Sequence, residues 1–158
     1  MPATQYWLYK SEPSAFSIDH LAKAPEQTAP WDGVRNYQAR NYLREARVGD
    51  KVLFYRSSEE PLGIFGTMKV VRAGYPDFTQ FDPQSQYFDP KSPQDNPRWT
   101  MVDVKLIRKF AKPVLREDLT TNDVTAAMLV LKRGMRLSIQ PVTAAEWAAV
   151  HKLAGVKP

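Results

Sequence analysis

Hydrophobic positions fall in short runs punctuated by proline, glycine and serine, and each run has a readable period. Tyr6-Trp7-Leu8-Tyr9, closed by Ser11-Glu12-Pro13, has the pattern of a first strand ending in a turn. Ser17 is placed to cap a short helix through Ala24, which Pro25 and Pro30 then break. Trp31 to Asn36 follows as a loop. From Tyr37 onward Ala39, Tyr42, Leu43 and Ala46 recur at helical spacing until Gly49-Asp50, with Arg40, Arg44 and Arg47 flanking them, which predicts a basic amphipathic helix. Strands are expected at Lys51–Tyr55 and Ile64–Arg72, joined through the Ser57–Gly63 turn as a hairpin. Gly74 to Pro97, rich in Pro, Asp and Gln, is either a long functional loop or holds a short helix. Trp99–Phe110 predicts a further strand, Val114–Leu119 and Thr125–Leu131 two short helices, and Leu137–Gln140 a last strand stopped by Pro141. Thr143 and Glu146 form a capping box for a closing helix carrying Trp147, Val150 and Leu153 on one face, with Gly155 past its end.

The helices are too few and too short for repeated parallel crossovers, so the expected class is α+β: a small mixed or antiparallel β-barrel with helices packed outside. With 158 residues, 43% hydrophobic and 25% charged, the chain is expected to form one domain over residues 1–158 with a core large enough to need no metal or disulfide. There is no Cys and there are only two His, which removes thiol chemistry and Cys-ligated metals and leaves no metal site or cofactor expected. No apolar run is long enough to span a membrane and no targeting segment is visible, so a cytoplasmic location is expected, without membrane association. Oligomeric state is left open.

The net charge of +5 favours anionic partners. Arg35, Arg40, Arg44, Arg47, Lys51 and Arg56 are opposed only by Glu45 and Asp50, and a second basic run extends from Arg98 to Arg116. Tyr75–Asp95 between them is acidic and is expected to stand clear of any anion-binding face. Charge runs are usually solvated faces, so these patches alone name no ligand. No Gly-x-Ser-x-Gly elbow, phosphate-cradling loop or orienting carboxylate for His20 or His151 is present, and the Glu59-Glu60 pair lies in an exposed turn. What remains is aromatic and small polar residues crowded at strand ends. Ser11, Trp31, Arg35, Asn36, Tyr55 and Ser57 can wall a pocket for a flat heterocycle, although a loop tryptophan is more often a core plug.

Three segments carry a resemblance: Trp7-Leu8-Tyr9-Lys10-Ser11-Glu12-Pro13, Trp31-Asp32-Gly33-Val34-Arg35-Asn36-Tyr37-Gln38-Ala39-Arg40-Asn41 and Gly49-Asp50-Lys51-Val52-Leu53-Phe54-Tyr55. It continues through Gly63-Ile64-Phe65-Gly66, Tyr75-Pro76-Asp77, Tyr87-Phe88-Asp89-Pro90-Lys91-Ser92, Pro97-Arg98-Trp99 and Arg136-Leu137-Ser138-Ile139-Gln140-Pro141-Val142, in order along almost the whole chain. The sequence resembles the EVE-domain family, which includes the thymocyte nuclear protein group. The resemblance implies a PUA-like fold related to YTH domains and a non-enzymatic module that reads a modified base, methylated or hydroxymethylated, in DNA or RNA. Lys10-Ser11 resembles the Lys-Ser of the corresponding YTH strand, Trp31 falls where a cage tryptophan is expected, and Trp99 is the candidate second wall. The implied base pocket comprises Lys10, Ser11, Glu12, Trp31, Gly33, Val34, Asn36, Tyr55, Ser57 and Trp99, with Arg35, Arg40, Arg44 and Arg56 on phosphates. Arg56 stands where family members often carry His. Two other classes stay open: a small hydrolase or glycosylase using Asp32 or Glu12 as its carboxylate, and a protein-binding scaffold.

Overall fold

The computed structural model describes residues 3–158. Six strands, β1 (Tyr6–Ser11), β2 (Thr28–Trp31), β3 (Lys51–Arg56), β4 (Gly63–Pro76), β5 (Thr100–Leu115) and β6 (Ile139–Val142), form one sheet in the order β2-β5-β4-β3-β1-β6. Only β1 and β3 run parallel; the other neighbours are antiparallel. Helices α1 (Ile18–Lys23), α2 (Tyr37–Glu45), α3 (Arg116–Thr120) and α4 (Ala144–Ala154) pack on it.

Strand alternation divides the apolar residues between two cores. Trp7, Tyr9, Val52 and Phe54 face one side of the sheet; Leu8, Leu53 and Tyr55 face the other. The first core also receives Ala29 and Trp31 from edge strand β2 and Ile139 from the opposite edge strand β6, so the sheet curls around it, with Leu21 of α1 and Leu43 of α2 closing it. The second core lies under Leu119 of α3 and Trp147 and Val150 of α4.

The expected barrel is not closed by hydrogen bonds. A ladder between β2 and β6 would complete it, and none joins them among the described residues. The reason is in the edge strands themselves: each is four residues long and each contains a proline, Pro30 in β2 and Pro141 in β6. Proline has no N–H to offer a neighbouring strand and is confined to sheet edges. A gap therefore remains between the edges of the curled sheet.

Several boundaries differ from the sequence expectation. Trp31 ends a strand instead of standing on a loop, because Thr28–Trp31 pairs with Val102–Lys105. β5 runs on to Leu115 and absorbs the start of the helix expected at Val114, since Ile64 and Gly63 pair with Val114 and Leu115; only Arg116–Thr120 is helical. Thr125–Leu131 is two single 3-10 turns, and Pro141 lies inside β6 instead of ending it. Gly74–Pro97 begins as the end of β4 and contains one 3-10 turn at Phe78–Phe81. The caps match expectation: Ser17 accepts from the His20 amide, the Thr143–Glu146 box opens α4, and Gly155 closes it at φ 74°. Left-handed backbone of this kind suits glycine at a helix C-terminus.

Candidate functional site

A cleft of about 610 Å³ opens at the gap between the sheet edges. The end of β1 brings Lys10 and Ser11, and the following turn brings Glu12, Ala15 and Phe16. The end of β2 and its exit loop contribute Pro30, Trp31, Asp32, Gly33, Val34 and Arg35, with Gln86, Tyr87 and Ser138 completing the rim.

Trp31 is both core residue and cleft wall. Its ring sits 5.5 Å from Tyr9 and from Phe54 and 6.0 Å, edge-on, from Phe16, and it is only 6% exposed. Those neighbours lock its orientation. Its indole N–H meets no acceptor among the described residues, yet it is not among the fully enclosed polar atoms, of which only the Tyr9 hydroxyl lacks a partner. The N–H is therefore left without a protein partner.

The second ring is one that the sequence did not single out. Tyr87 lies directly against Gly33: a Cβ there would stand 2.6 Å from the Tyr87 ring, and Gly33 has φ +80°. Glycine is required on both counts. Arg35 holds this arrangement by using all five of its N–H donors. Nε and Nη2 donate to the Tyr87 carbonyl at 3.1 and 2.7 Å, Nη1 to the Val34 carbonyl and Asp77, and Nη2 also to Thr79 Oγ1. Its guanidinium lies 5.6 Å from the Tyr87 ring centre and 5.3 Å from that of Trp99. Asp77 is fully buried and also accepts from the Gly33 amide and from the amide and hydroxyl of Thr79. The acidic stretch expected to stand clear of the site thus builds one wall of the cleft, with its Asp77 charge neutralised inside by Arg35.

The polar groups facing the cleft differ in how far they are already satisfied. Ser11 donates its hydroxyl to the Phe16 carbonyl at 2.6 Å, whereas the Ser138 hydroxyl has no partner among the described residues. Lys10 Nζ is held at 3.3 Å from the Met135 carbonyl, and burial, followed by the charge of Arg116, pulls its pKa below the usual lysine value. Glu12 accepts from Ser58. Asp32 is half-buried and its carboxylate bonds to no other residue; burial first, then the charge of Asp77, pushes its pKa up, against the pull of Arg35 and its own backbone amide.

The structure separates the residues expected to form one site. Lys10, Ser11, Glu12, Trp31, Gly33, Val34 and Arg35 line the cleft. Asn36, Tyr55, Ser57 and Trp99 do not. Asn36 caps α2 by accepting from the Ala39 amide at 2.9 Å. Tyr55 follows Phe54 in β3, so alternation turns it into the second core, where its hydroxyl accepts from Arg116. Ser57 bonds through its amide to the Ser11 carbonyl, and Trp99 stacks on Tyr37 at 5.0 Å while donating to Asp89 at 2.7 Å.

Among the arginines expected on phosphates, Arg35 has no free donor. Arg40 donates to Asn41 and the Arg98 carbonyl; Arg44 donates to Thr100 Oγ1 and to the Pro97 and Arg98 carbonyls. Arg56 donates to the Glu59 and Glu60 carbonyls. By contrast, Lys132, Arg133 and Arg136 are exposed and make no side-chain hydrogen bond or ion pair among the described residues. Their loop borders the cleft: Met135 accepts from Lys10 Nζ, and the Ser138 carbonyl from the Lys10 amide. This cluster was visible as Lys132-Arg133-Gly134-Met135-Arg136, but nothing in sequence tied it to Lys10. Among the described residues no group of three or more His, Cys, Asp or Glu could hold a metal, and no helix is long and apolar enough to cross a membrane.

The EVE domain family model matches residues 5–153. The chain belongs to the EVE domain family. Mouse thymocyte nuclear protein 1 is 41% identical over an alignment covering 98% of this chain and 76% of that protein. The crystal structure of human THYN1 protein in complex with 5-methylcytosine-containing DNA superposes on this EVE domain with a TM-score of 0.90 at 40% identity, covering 98% of this chain and 100% of that one. A YTH domain, that of the Zygosaccharomyces rouxii MRB1 protein in complex with N6-methyladenosine RNA, shares the fold alone, with a TM-score of 0.54 at 16% identity over 98% of this chain and 89% of that one.

Proposed function

We propose that this chain is a single EVE domain, residues 1–158, that binds nucleic acid without catalysing a reaction and draws one modified base into the cleft floored by Trp31. The observation that carries this reading is the similarity to human THYN1 protein, whose structure is of a complex with 5-methylcytosine-containing DNA. The cleft supports it in size and chemistry: about 610 Å³, walled by Trp31, Tyr87 and Phe16, with the Trp31 N–H, the Ser138 hydroxyl and the Asp32 carboxylate free for polar contacts. Extruding a base from a duplex costs a few kcal/mol, and stacking on an aromatic ring returns about 1–3 kcal/mol. One largely covered indole is insufficient. Side walls from Tyr87 and Phe16 and hydrogen bonds to the base edge supply the remainder. An added methyl contributes about 0.8 kcal/mol when buried, so preference for a methylated base arises from a cavity that the bare base fills poorly.

Sequence-independent grip falls first to cations with every donor free, Lys132, Arg133 and Arg136, in preference to the saturated Arg35 and the partly bonded Arg40, Arg44 and Arg56. The test is a fluorescence titration with matched oligonucleotides carrying 5-methylcytosine, 5-hydroxymethylcytosine, N6-methyladenine or no modification. One modified strand should bind more tightly than the bare strand, and Trp31→Ala should remove the difference. Equal binding of all strands, unchanged by that substitution, refutes the pocket.

A further inference from the structure

We infer that Asp32 reads the hydrogen-bonding edge of the captured base, and that this base carries an amidine edge, a ring nitrogen beside an exocyclic amine as in cytosine or adenine, instead of a keto edge as in thymine or uracil. The inference rests on the cleft being the base pocket and adds what the pocket selects.

Two neighbouring acids carry the argument because their surroundings are opposite. Asp77 is saturated, accepting from the Gly33 amide, Arg35 and Thr79. Asp32 lines the cleft immediately after the floor residue Trp31 and bonds to no other residue. Arg35, the cation beside it, has every donor committed elsewhere and cannot complete it. A half-buried carboxylate in this state needs a donor, and an exocyclic amine is one. A keto base offers a carboxylate only its ring N–H, flanked on both sides by carbonyl oxygens, so a carboxylate that reaches it sets its own oxygens against those acceptors, whereas an exocyclic amine is reached from its open side.

5-Methylcytosine and thymine isolate this contact, since both carry the 5-methyl group and they differ only at the Watson–Crick edge. Single-stranded oligonucleotides with one or the other at a single position remove any pairing contribution, and affinity is read by fluorescence anisotropy on the full chain. The expected result is about a tenfold to hundredfold preference for 5-methylcytosine, the range for a hydrogen bond to a charged or unpaired group. Asp32→Asn should flatten the preference, because an amide can turn to match either edge. Asp32→Ala should weaken 5-methylcytosine and leave thymine unchanged. A full preference in Asp32→Asn, with binding still abolished by Trp31→Ala, overturns the assignment and leaves the base pocket standing. Equal binding of every strand by wild type and Trp31→Ala overturns both. Release of free base that disappears in Asp32→Asn makes Asp32 catalytic and overturns the assignment as well. Thermal melting serves as the folding control: Asp32→Asn should melt no lower than wild type at pH 7, since it removes a charge that burial disfavours. Its advantage should shrink as falling pH protonates Asp32 in the wild type.

Discussion

The arginines around α2 and the basic loop 132–136 look alike in sequence and play opposite parts in the molecule. Arg40 and Arg44 are four residues apart on one helix face, and both reach across to the Pro97–Thr100 segment; Arg35, just before the helix, clamps the Tyr87 backbone. These side chains join separate parts of the chain: Arg35 commits every donor to carbonyls, a hydroxyl and one buried carboxylate, and Arg40 and Arg44 commit part of theirs. In the loop, Lys132, Arg133 and Arg136 extend from the surface around Gly134, whose missing Cβ would meet nothing within 4 Å. A cation's value to a polyanion depends on its unused donors, and Arg35, Arg40 and Arg44 have fewer of them than the loop cations.

The strongest way to break this comparison is Arg35→Ala, which leaves the fully buried Asp77 without its counter-charge. Stability should fall by about 3 kcal/mol, the lower end of the range for an orphaned buried ion, and urea denaturation measures it. Replacing Lys132, Arg133 and Arg136 together by Ala should do the reverse, leaving the urea midpoint within about 0.5 kcal/mol of wild type. The same triple variant should flatten the dependence of log K on log salt by about two to three, which a titration series in NaCl would read. If Arg40→Ala and Arg44→Ala flatten the slope as much as the triple variant does, the division between the regions fails. Arg44→Ala, which removes the bond to Thr100, should cost about 1 kcal/mol of stability. The smallest effect belongs to Asp89, whose pKa is drawn down chiefly by the hydrogen bond from Trp99. A depressed carboxylate stabilises the fold above its unfolded pKa and loses that contribution as pH falls through its folded one. Melting temperatures below about pH 4 should therefore fall less steeply for Asp89→Asn than for wild type.

Local signals were well preserved in the fold. Ser17, Asn36 and Thr143 all lie at helix starts; the capping bond of Asn36 to Ala39 is local and uses its side-chain oxygen, which keeps it out of the pocket its residue type suits. Lys10, Ser11, Glu12, Trp31, Gly33 and Val34 were brought together in one cleft, because the ends of β1 and β2 flank the same gap. Trp99 and Tyr55 were not. Their types suit a pocket wall, but strand alternation turned Tyr55 away, and the Asp89 acceptor holds Trp99 behind Arg35. Tyr87 sits in an acidic stretch whose charge points away from an anion site, and only the Arg35–Asp77 pairing brings its ring to the cleft.

Periodicity and capping residues act within a few residues, so the sequence by itself determined β1, β3, the bodies of β4 and β5, the caps of α1 and α4 and the family, while β2, which forms only by pairing with β5, was not legible in it. Which arginine retains a free donor, which ring faces the cleft and which carboxylate lacks a partner depend on residues far away in the chain. Arg35 meets Tyr87 across 52 positions and Arg40 meets Arg98 across 58. Only tertiary packing could decide those, because hydrogen-bond saturation is a property of what the fold brings within about 3 Å and leaves no trace in composition or period.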